Sequence, residues 1–299
     1  MTQFIMIGHF QIFTTDDGNW IAHGSGSSGI VTRAQDTSSG RFIAMKIIPC
    51  TLRPEDTPPV VKQLQELYSS THPGVVDFMG ADYFPQKGCI LIANEYMDLA
   101  SLKDVMARVG PLPEVFLGFA TSQVLNALVY LHRDRRLIHR DIKPSNILLN
   151  SSGMVKICDF GMSTTLASTL DPAHTWVGST TYMSPERISG LQYIWNSDVW
   201  SLGISLVELA NGDFPYKSNH KNKRMEMVDL LDQIIEEAPP QLDAARFSPE
   251  FCDFIACALR HKKEERPNAD VLLGHPFVGK YQAADITPFL EQVIAAGAR

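Results

Sequence analysis

The chain has 299 residues, 44% of them hydrophobic and 9% aromatic, enough apolar material to fill the core of one large domain or two. Its formal net charge is −7 and its pI is about 5.7, which argues against a general nucleic-acid or anionic-membrane surface, since such surfaces carry a basic excess. Five cysteines, Cys50, Cys89, Cys158, Cys252 and Cys257, form neither a CxxC pair nor a paired framework, which points away from zinc and disulfides and toward a reducing, cytoplasmic setting.

The opening run MTQFIMIGHFQIF is apolar but has no cationic stretch before it, so it reads as an edge strand or packing segment and not as a cleaved leader. No uninterrupted apolar run is long enough to span a bilayer, and no membrane partner is expected. From Trp20, IAHGSGSSGIVTRA and RFIAMKIIP, split by the polar turn at residues 36–40, predict three strands. Gly24, Gly26 and Gly29 form a G-x-G-x-x-G followed by Val31, and glycines let backbone amides close on a triphosphate with no Cβ in the way. Dinucleotide-binding folds share that spacing, but there a helix follows, whereas this segment alternates like a strand.

A proline-rich segment, residues 53–59, leads into VVKQLQELYSS, whose Val60, Val61, Leu64, Leu67 and Tyr68 fall at helical spacing. Cys89 to Ala93 reads as a buried strand. After Ser101 the composition turns helical: Ser101 to Asp104 opens one helix, and Pro113-Glu114 opens another that runs apolar through Val124, Leu125, Leu128, Val129 and Leu131. That shift places a boundary near residues 97–100. NSDVWSLGISLVELANG predicts a buried core helix stopped by Pro215, and the basic stretch at 217–224 reads as a solvated loop. Ile286, Phe289, Leu290, Val293 and Ile294 predict a last helix.

The chemistry concentrates in His139 to Gly161, HRDIKPSNILLNSSGMVKICDFG. Ile147 to Leu149 and Val155 to Ile157 predict a hairpin around the turn Asn150-Ser151-Ser152-Gly153. Asp141, Asn146 and Asp159 stand on the short loops flanking it. Three oxygen-bearing side chains so placed suit a hard cation held with phosphates and leave one carboxylate to meet a hydroxyl proton, which is phosphoryl-transfer chemistry.

That string, with His, Arg, Asp, Lys, Asn, Asp, Phe and Gly at matching spacing, resembles the catalytic and magnesium loops of the protein kinases. The resemblance covers roughly residues 20–280 and implies an α+β, bilobal fold. It divides the chain into an N-terminal extension (1–19), a small β-rich lobe with one regulatory helix (20–98), a larger, mainly helical lobe (99–280) and a helical extension (281–299). It implies ATP and Mg²⁺ as cofactors, Asp141 as the base, Lys143 on the transferring phosphate, Asn146 and Asp159 on the metal, and Lys46 on the α- and β-phosphates. Gly24, Ser25, Gly26, Gly29, Val31, Ala44 and Leu148 would line the nucleotide pocket, with Glu95 and Met97 as the hinge. Asn94 stands where the family mostly has an apolar residue. The helix glutamate that usually pairs with the strand lysine is replaced by Gln63, with Glu66 about one turn away. Asp198 is expected to brace the catalytic loop, Glu186 and Arg266 to form a structural ion pair, and Thr181 to bridge Asp141 and Lys143. Cys158 is either an alkylatable thiol at the floor of the site or inert packing.

VGSTTYMSPER, Cys158 and the EYMD hinge narrow the resemblance to the mitogen-activated protein kinase kinases. This implies a downstream mitogen-activated protein kinase as substrate, phosphorylated on Thr and Tyr, and an upstream activating kinase. Alignment on that block implies phosphorylation of Thr169 and Thr175, with Asp171 as a fixed charge at an alternative first site. Arg140, a cation beside the catalytic carboxylate, would wait for that negative charge. The subfamily's basic docking cluster and proline-rich insert are missing. Another serine/threonine kinase of the same broad group, or a weakly active pseudokinase or scaffold because of Gln63, remain the alternatives.

Overall fold

A computed structural model of the chain describes residues 3–7, 10–14, 24–26, 29–50, 57–69, 71–160, 180–216 and 227–297. The described residues before Asp98 make one compact unit, and those from Asp98 to Phe160 and from Thr180 onward make the other.

The first unit is a seven-stranded antiparallel sheet with one α-helix among the described residues. Strands β1 (Gln3–Ile7), β2 (Phe10–Thr14), β4 (Gly29–Asp36), β5 (Phe42–Pro49), β7 (Cys89–Glu95) and β6 (Phe78–Phe84) lie side by side in that order, and β3 (Gly24–Gly26) pairs with β4. The apolar start therefore supplies two strands, and β2 joins them to β4 through Phe10 opposite Asp36. Side chains alternate across a sheet, so Ile43, Met45 and Ile47 of β5 meet Cys89, Leu91 and Ala93 of β7 on one buried face, with Ile12 and Ala34. Lys46, Ile48, Ile90 and Ile92 take the opposite face and are buried as well. Helix α1 (Thr57–Tyr68) begins with Pro58 and Pro59 in its first turn, where a missing N–H costs nothing. It buries Leu64 and Tyr68, with Tyr68 stacked on Phe78 of β6 at 5.7 Å.

The second unit is mostly helical. A helix starts at Ser101 as expected, and Ser101 caps this α2 (Leu102–Val109) in a reciprocal capping box with Asp104. Helix α3 (Glu114–Val129) continues through a π-helical turn, Tyr130–Asp134. The run Glu114–Asp134 is long and apolar enough, by length and composition, to cross a membrane, which corrects the expectation that no segment reaches that length. It is 67% buried here and serves as a core helix, because α3 packs beside α5 (Asn196–Asn211), α8 (Ala269–Leu273) and α9 (Pro276–Tyr281). Helix α4 (Pro185–Ile188) is a single turn, and α6 (Met227–Glu236) and α7 (Pro249–Ala258) complete this side. The last helix, α10 (Thr287–Gly297), folds back on the unit: Phe289 meets Phe116 of α3 at 4.3 Å, and Ile286 and Leu290 press on Gly153. Gly153 closes the hairpin of β8 (Ile147–Leu149) and β9 (Val155–Ile157) at φ +83°, a backbone setting that favours glycine. The basic stretch at 217–224 lies outside the described residues.

Candidate active site

In the second unit the loop that begins at His139 is closed by side chains. Leu148 stands opposite Lys156 in the hairpin, and Leu149 exchanges backbone hydrogen bonds with Leu99 and Ala100, so β8 is fixed on both edges. Just before β8, Pro144–Asn146 form a 3-10 turn, with the Asn146 amide donating to the Lys143 carbonyl at 2.9 Å. This turn folds Asn146 back onto Asp141. Its Nδ2 donates at 2.8 Å to both the Asp141 carbonyl and Asp141 Oδ2. Lys143 Nζ donates to the same Oδ2 at 2.9 Å. One carboxylate oxygen of Asp141 is thus oriented by two donors, and the group stays half-buried.

Two peptides in this loop are held in costly shapes. Arg140 has φ +71° and Asp159 φ +65°, and left-handed backbone at non-glycine residues costs about 1–3 kcal/mol each, so the surroundings must enforce it. Asp198 of α5 does part of this. Fully buried, it accepts from the amides of His139 and Arg140 and from His132 Nε2, each at 2.8 Å. Burial alone would raise its pKa, but the hydrogen bond and charge of His132 and the Arg140 amide outweigh that, and the carboxyl sits below the ordinary carboxylate range. His139 is pushed the other way, its pKa lowered by burial against the pull of Asp198, Asp141 and Asp159. Its ring is neutral with a definite tautomer: Nδ1 accepts from the Asp141 amide at 3.3 Å, which leaves Nε2–H to donate to the Cys158 carbonyl at 3.0 Å.

The metal assignment fits these residues. With both Nδ2 contacts spent on Asp141, the carboxamide oxygen of Asn146 is the atom left for a cation, and the carboxylate of Asp159 adds a second hard oxygen, the donor type magnesium takes. The buried ion pair expected between Glu186 and Arg266 is present as a two-bond fork, Nη1–Oε1 at 2.8 Å and Nη2–Oε2 at 3.1 Å, with Arg266 over the Trp200 ring. Thr181 does not bridge Asp141 and Lys143. It makes no hydrogen bond among the described residues, and the two partners reach each other directly. Cys158 is half-buried, its amide bonded to the Asn146 carbonyl at 3.0 Å.

In the first unit, strand register does the positioning. Gly24 pairs with Val31, Val31 with Lys46 and Lys46 with Ile92, so glycine loop and lysine fall on one line across four strands. Ser25 and Gly26 complete β3 opposite Ile30 and Gly29. Gly29 has φ +136°, and a Cβ there would lie 2.4 Å from the Ile47 carbonyl oxygen, so glycine is required by both conformation and space. Ala44 stands opposite Asn94, which is half-buried. At the hinge the Glu95 amide is committed to the Asp77 carbonyl at 2.9 Å and its side chain accepts from the Asp77 amide, while Met97 is buried. Lys46 is 4% exposed. Gln63 departs from the expectation for it: α1 turns Leu64 and Tyr68 inward, which leaves position 63 exposed and without a hydrogen bond among the described residues. Glu66 is exposed too, 3.9 Å from Lys62. Thr169, Thr175 and Asp171 lie outside the described residues.

Three partners escaped the sequence. His132 is a third donor to Asp198, 66 residues away in the chain. Buried Glu208 accepts from Tyr182 Oη at 2.5 Å and Lys103 Nζ at 2.6 Å, and burial followed by this carboxylate raises the Tyr182 pKa. Arg187 Nη1 donates to the Arg140 carbonyl at 2.8 Å. Only the run of polar residues in otherwise apolar helices hinted at the first two.

Residues 22–278 match the protein kinase domain family. Over 264 residues the chain is 40% identical to mitogen-activated protein kinase kinase 2 of Arabidopsis thaliana, spanning 88% of this chain and 72% of that protein. It is likewise 40% identical over 264 residues to the mitogen-activated protein kinase kinase SIPKK of Nicotiana tabacum, spanning 88% and 73%. With the dual specificity mitogen-activated protein kinase kinase dSOR1 of Drosophila melanogaster it shares 38% identity over 283 residues, spanning 88% and 70%.

Proposed function

The chain belongs to the protein kinases, among the mitogen-activated protein kinase kinases, and from that premise we propose that it transfers phosphate from ATP and Mg²⁺ to threonine and tyrosine of a downstream mitogen-activated protein kinase. The observation that carries this reading is Asp141, oriented by Lys143 and Asn146 yet left half-open. Its carboxylate accepts the proton of the acceptor hydroxyl as the oxygen attacks phosphorus, and Lys143 then sits beside the charge that builds on the transferring group. Magnesium, when bound at Asn146 and Asp159, neutralises phosphate oxygens. Lys46, set by register beneath the glycine loop, holds the α- and β-phosphates.

Regulation follows from Arg140. Its Nε is buried without a hydrogen-bond partner among the described residues, so a cation lies next to the base uncompensated on that side. Phosphate added by an upstream kinase at Thr169 and Thr175 supplies the counter-charge, and the kinase works in the cytoplasm. Phosphoamino-acid analysis of a kinase-inactive mitogen-activated protein kinase after incubation with this protein and ATP tests the reading. Phosphothreonine and phosphotyrosine together are expected; phosphothreonine or phosphoserine alone assigns a plain serine/threonine kinase instead.

A further inference from the structure

We propose that Arg187 is a positioning residue for phosphoryl transfer: its guanidinium grips the carbonyl of Arg140, the peptide oxygen just before Asp141, and so fixes where the Asp141 carboxylate points. The inference rests on the reading of Asp141 as the residue that meets the substrate hydroxyl.

Arg140 sits at φ +71°, a conformation that must be enforced from both ends of the residue. On the N-terminal side the enforcing group is Asp198, whose Oδ1 takes the Arg140 amide at 2.8 Å. Asp198 has no hold on the other torsion. There the next peptide is tied at both of its polar atoms, its carbonyl to Arg187 Nη1 at 2.8 Å and its N–H, that of Asp141, to His139 Nδ1 at 3.3 Å. Of these two bonds the first is shorter and charge-assisted, the stronger class. Without it only the longer His139 bond holds this peptide against rotation about the Arg140 Cα–C bond, and the Asp141 carboxylate, kept to Lys143 and Asn146, is less firmly aimed.

The grip is itself anchored. Arg187 follows Glu186 on α4, and Glu186 is locked to Arg266 and accepts from Ser197 Oγ at 3.2 Å, so the base of the Arg187 side chain is fixed to the core of the unit. The arrangement is expensive for stability alone. Arg187 and Arg140 both pack on one ring, Tyr193, at 5.3 and 5.5 Å, which brings two like charges together, with Arg187 half-buried. An apolar residue would fill that space without repulsion. The hydrogen bond to the loop is the compensating gain.

The test uses the full chain and reads ADP formation from ATP and Mg²⁺ with a kinase-inactive mitogen-activated protein kinase as acceptor. Arg187→Met is expected to lower kcat about tenfold while KM for ATP stays within about twofold, the pattern of a lost transition-state alignment. Arg187→Lys, which keeps a charged donor, should recover to within about threefold of wild type. Should the Met variant fail to fold, Arg187→Leu, which likewise has no donor, gives the same readout. A folded neutral variant with wild-type kcat overturns the proposal, as does a Lys variant no better than the neutral one. Asp141→Asn in the same assay separates the premise from the inference: if it too keeps full activity, the role given to Asp141 fails, and not the grip of Arg187.

Discussion

Lys46 and Asp141 reach their places by different routes. In the N-terminal unit the lysine is located by backbone pairing, Val31 on one side and Ile92 on the other, and each strand would hold that register with many different side chains. In the C-terminal unit the aspartate rides on an irregular loop with two left-handed residues, and side chains from distant helices, buried Asp198 of α5 and half-buried Arg187 of α4, hold it. A sheet stores its geometry in periodic hydrogen bonds; a loop must borrow it from specific polar groups. The first unit should therefore be tolerant of side-chain changes except where backbone touches backbone, and the second should be brittle wherever one buried polar partner is removed.

The largest effect is expected at Arg266. Arg266→Met leaves Glu186 as an uncompensated buried carboxylate and should cost about 3–5 kcal/mol of stability, read by chemical denaturation. A loss under about 1 kcal/mol would mean the C-terminal unit is not brittle in this sense. Next is Gly29→Ala, the exception on the tolerant side. A Cβ 2.4 Å from the Ile47 carbonyl must push β4 and β5 apart, so about 1–3 kcal/mol of stability should go and KM for ATP should rise, with kcat changed less. If Ala is accepted there without cost, register and not the close approach sets that strand pair.

The smallest effect is a pH dependence. Burial holds His139 below its ordinary value of 6.5, so the unfolded chain takes up a proton there before the folded one does. Stability from this group is complete above pH 6.5 and falls as pH drops below it toward the folded value, by at most about 1.4 kcal/mol per pH unit. Thermal unfolding between pH 7 and 5.5 should show the slope, and His139→Asn should flatten it.

Features governed by local spacing were legible in the sequence. The hairpin around residues 150–153, the helix start at Ser101 and the glycine loop all follow from neighbours a few residues apart, and β8 and β9 pair in the register their turn dictates. Glu186 with Arg266 and Asp198 with the loop were reached only through resemblance, because nothing local ties residues 80 or 59 positions apart. The misses are of the same long-range kind. Thr181 was assigned a bridge that the direct Lys143–Asp141 bond makes unnecessary. The resemblance puts Gln63, or Glu66 one turn on, opposite Lys46, but which way a helix turns depends on Leu64 and Tyr68 finding the sheet, and both 63 and 66 are exposed. Arg187 carried no signal at all, since its partner is a backbone carbonyl 47 residues away.

The most direct measurement is the single-turnover rate of phosphate transfer to a kinase-inactive mitogen-activated protein kinase by wild type and by Asp141→Asn, at saturating ATP and Mg²⁺. A change of one atom in the carboxylate keeps shape while removing the proton acceptor, and the rate should drop at least about a hundredfold with nucleotide affinity preserved. A transfer rate within a few-fold of wild type would contradict the assignment of Asp141 as the base and, with it, the account of how this loop works.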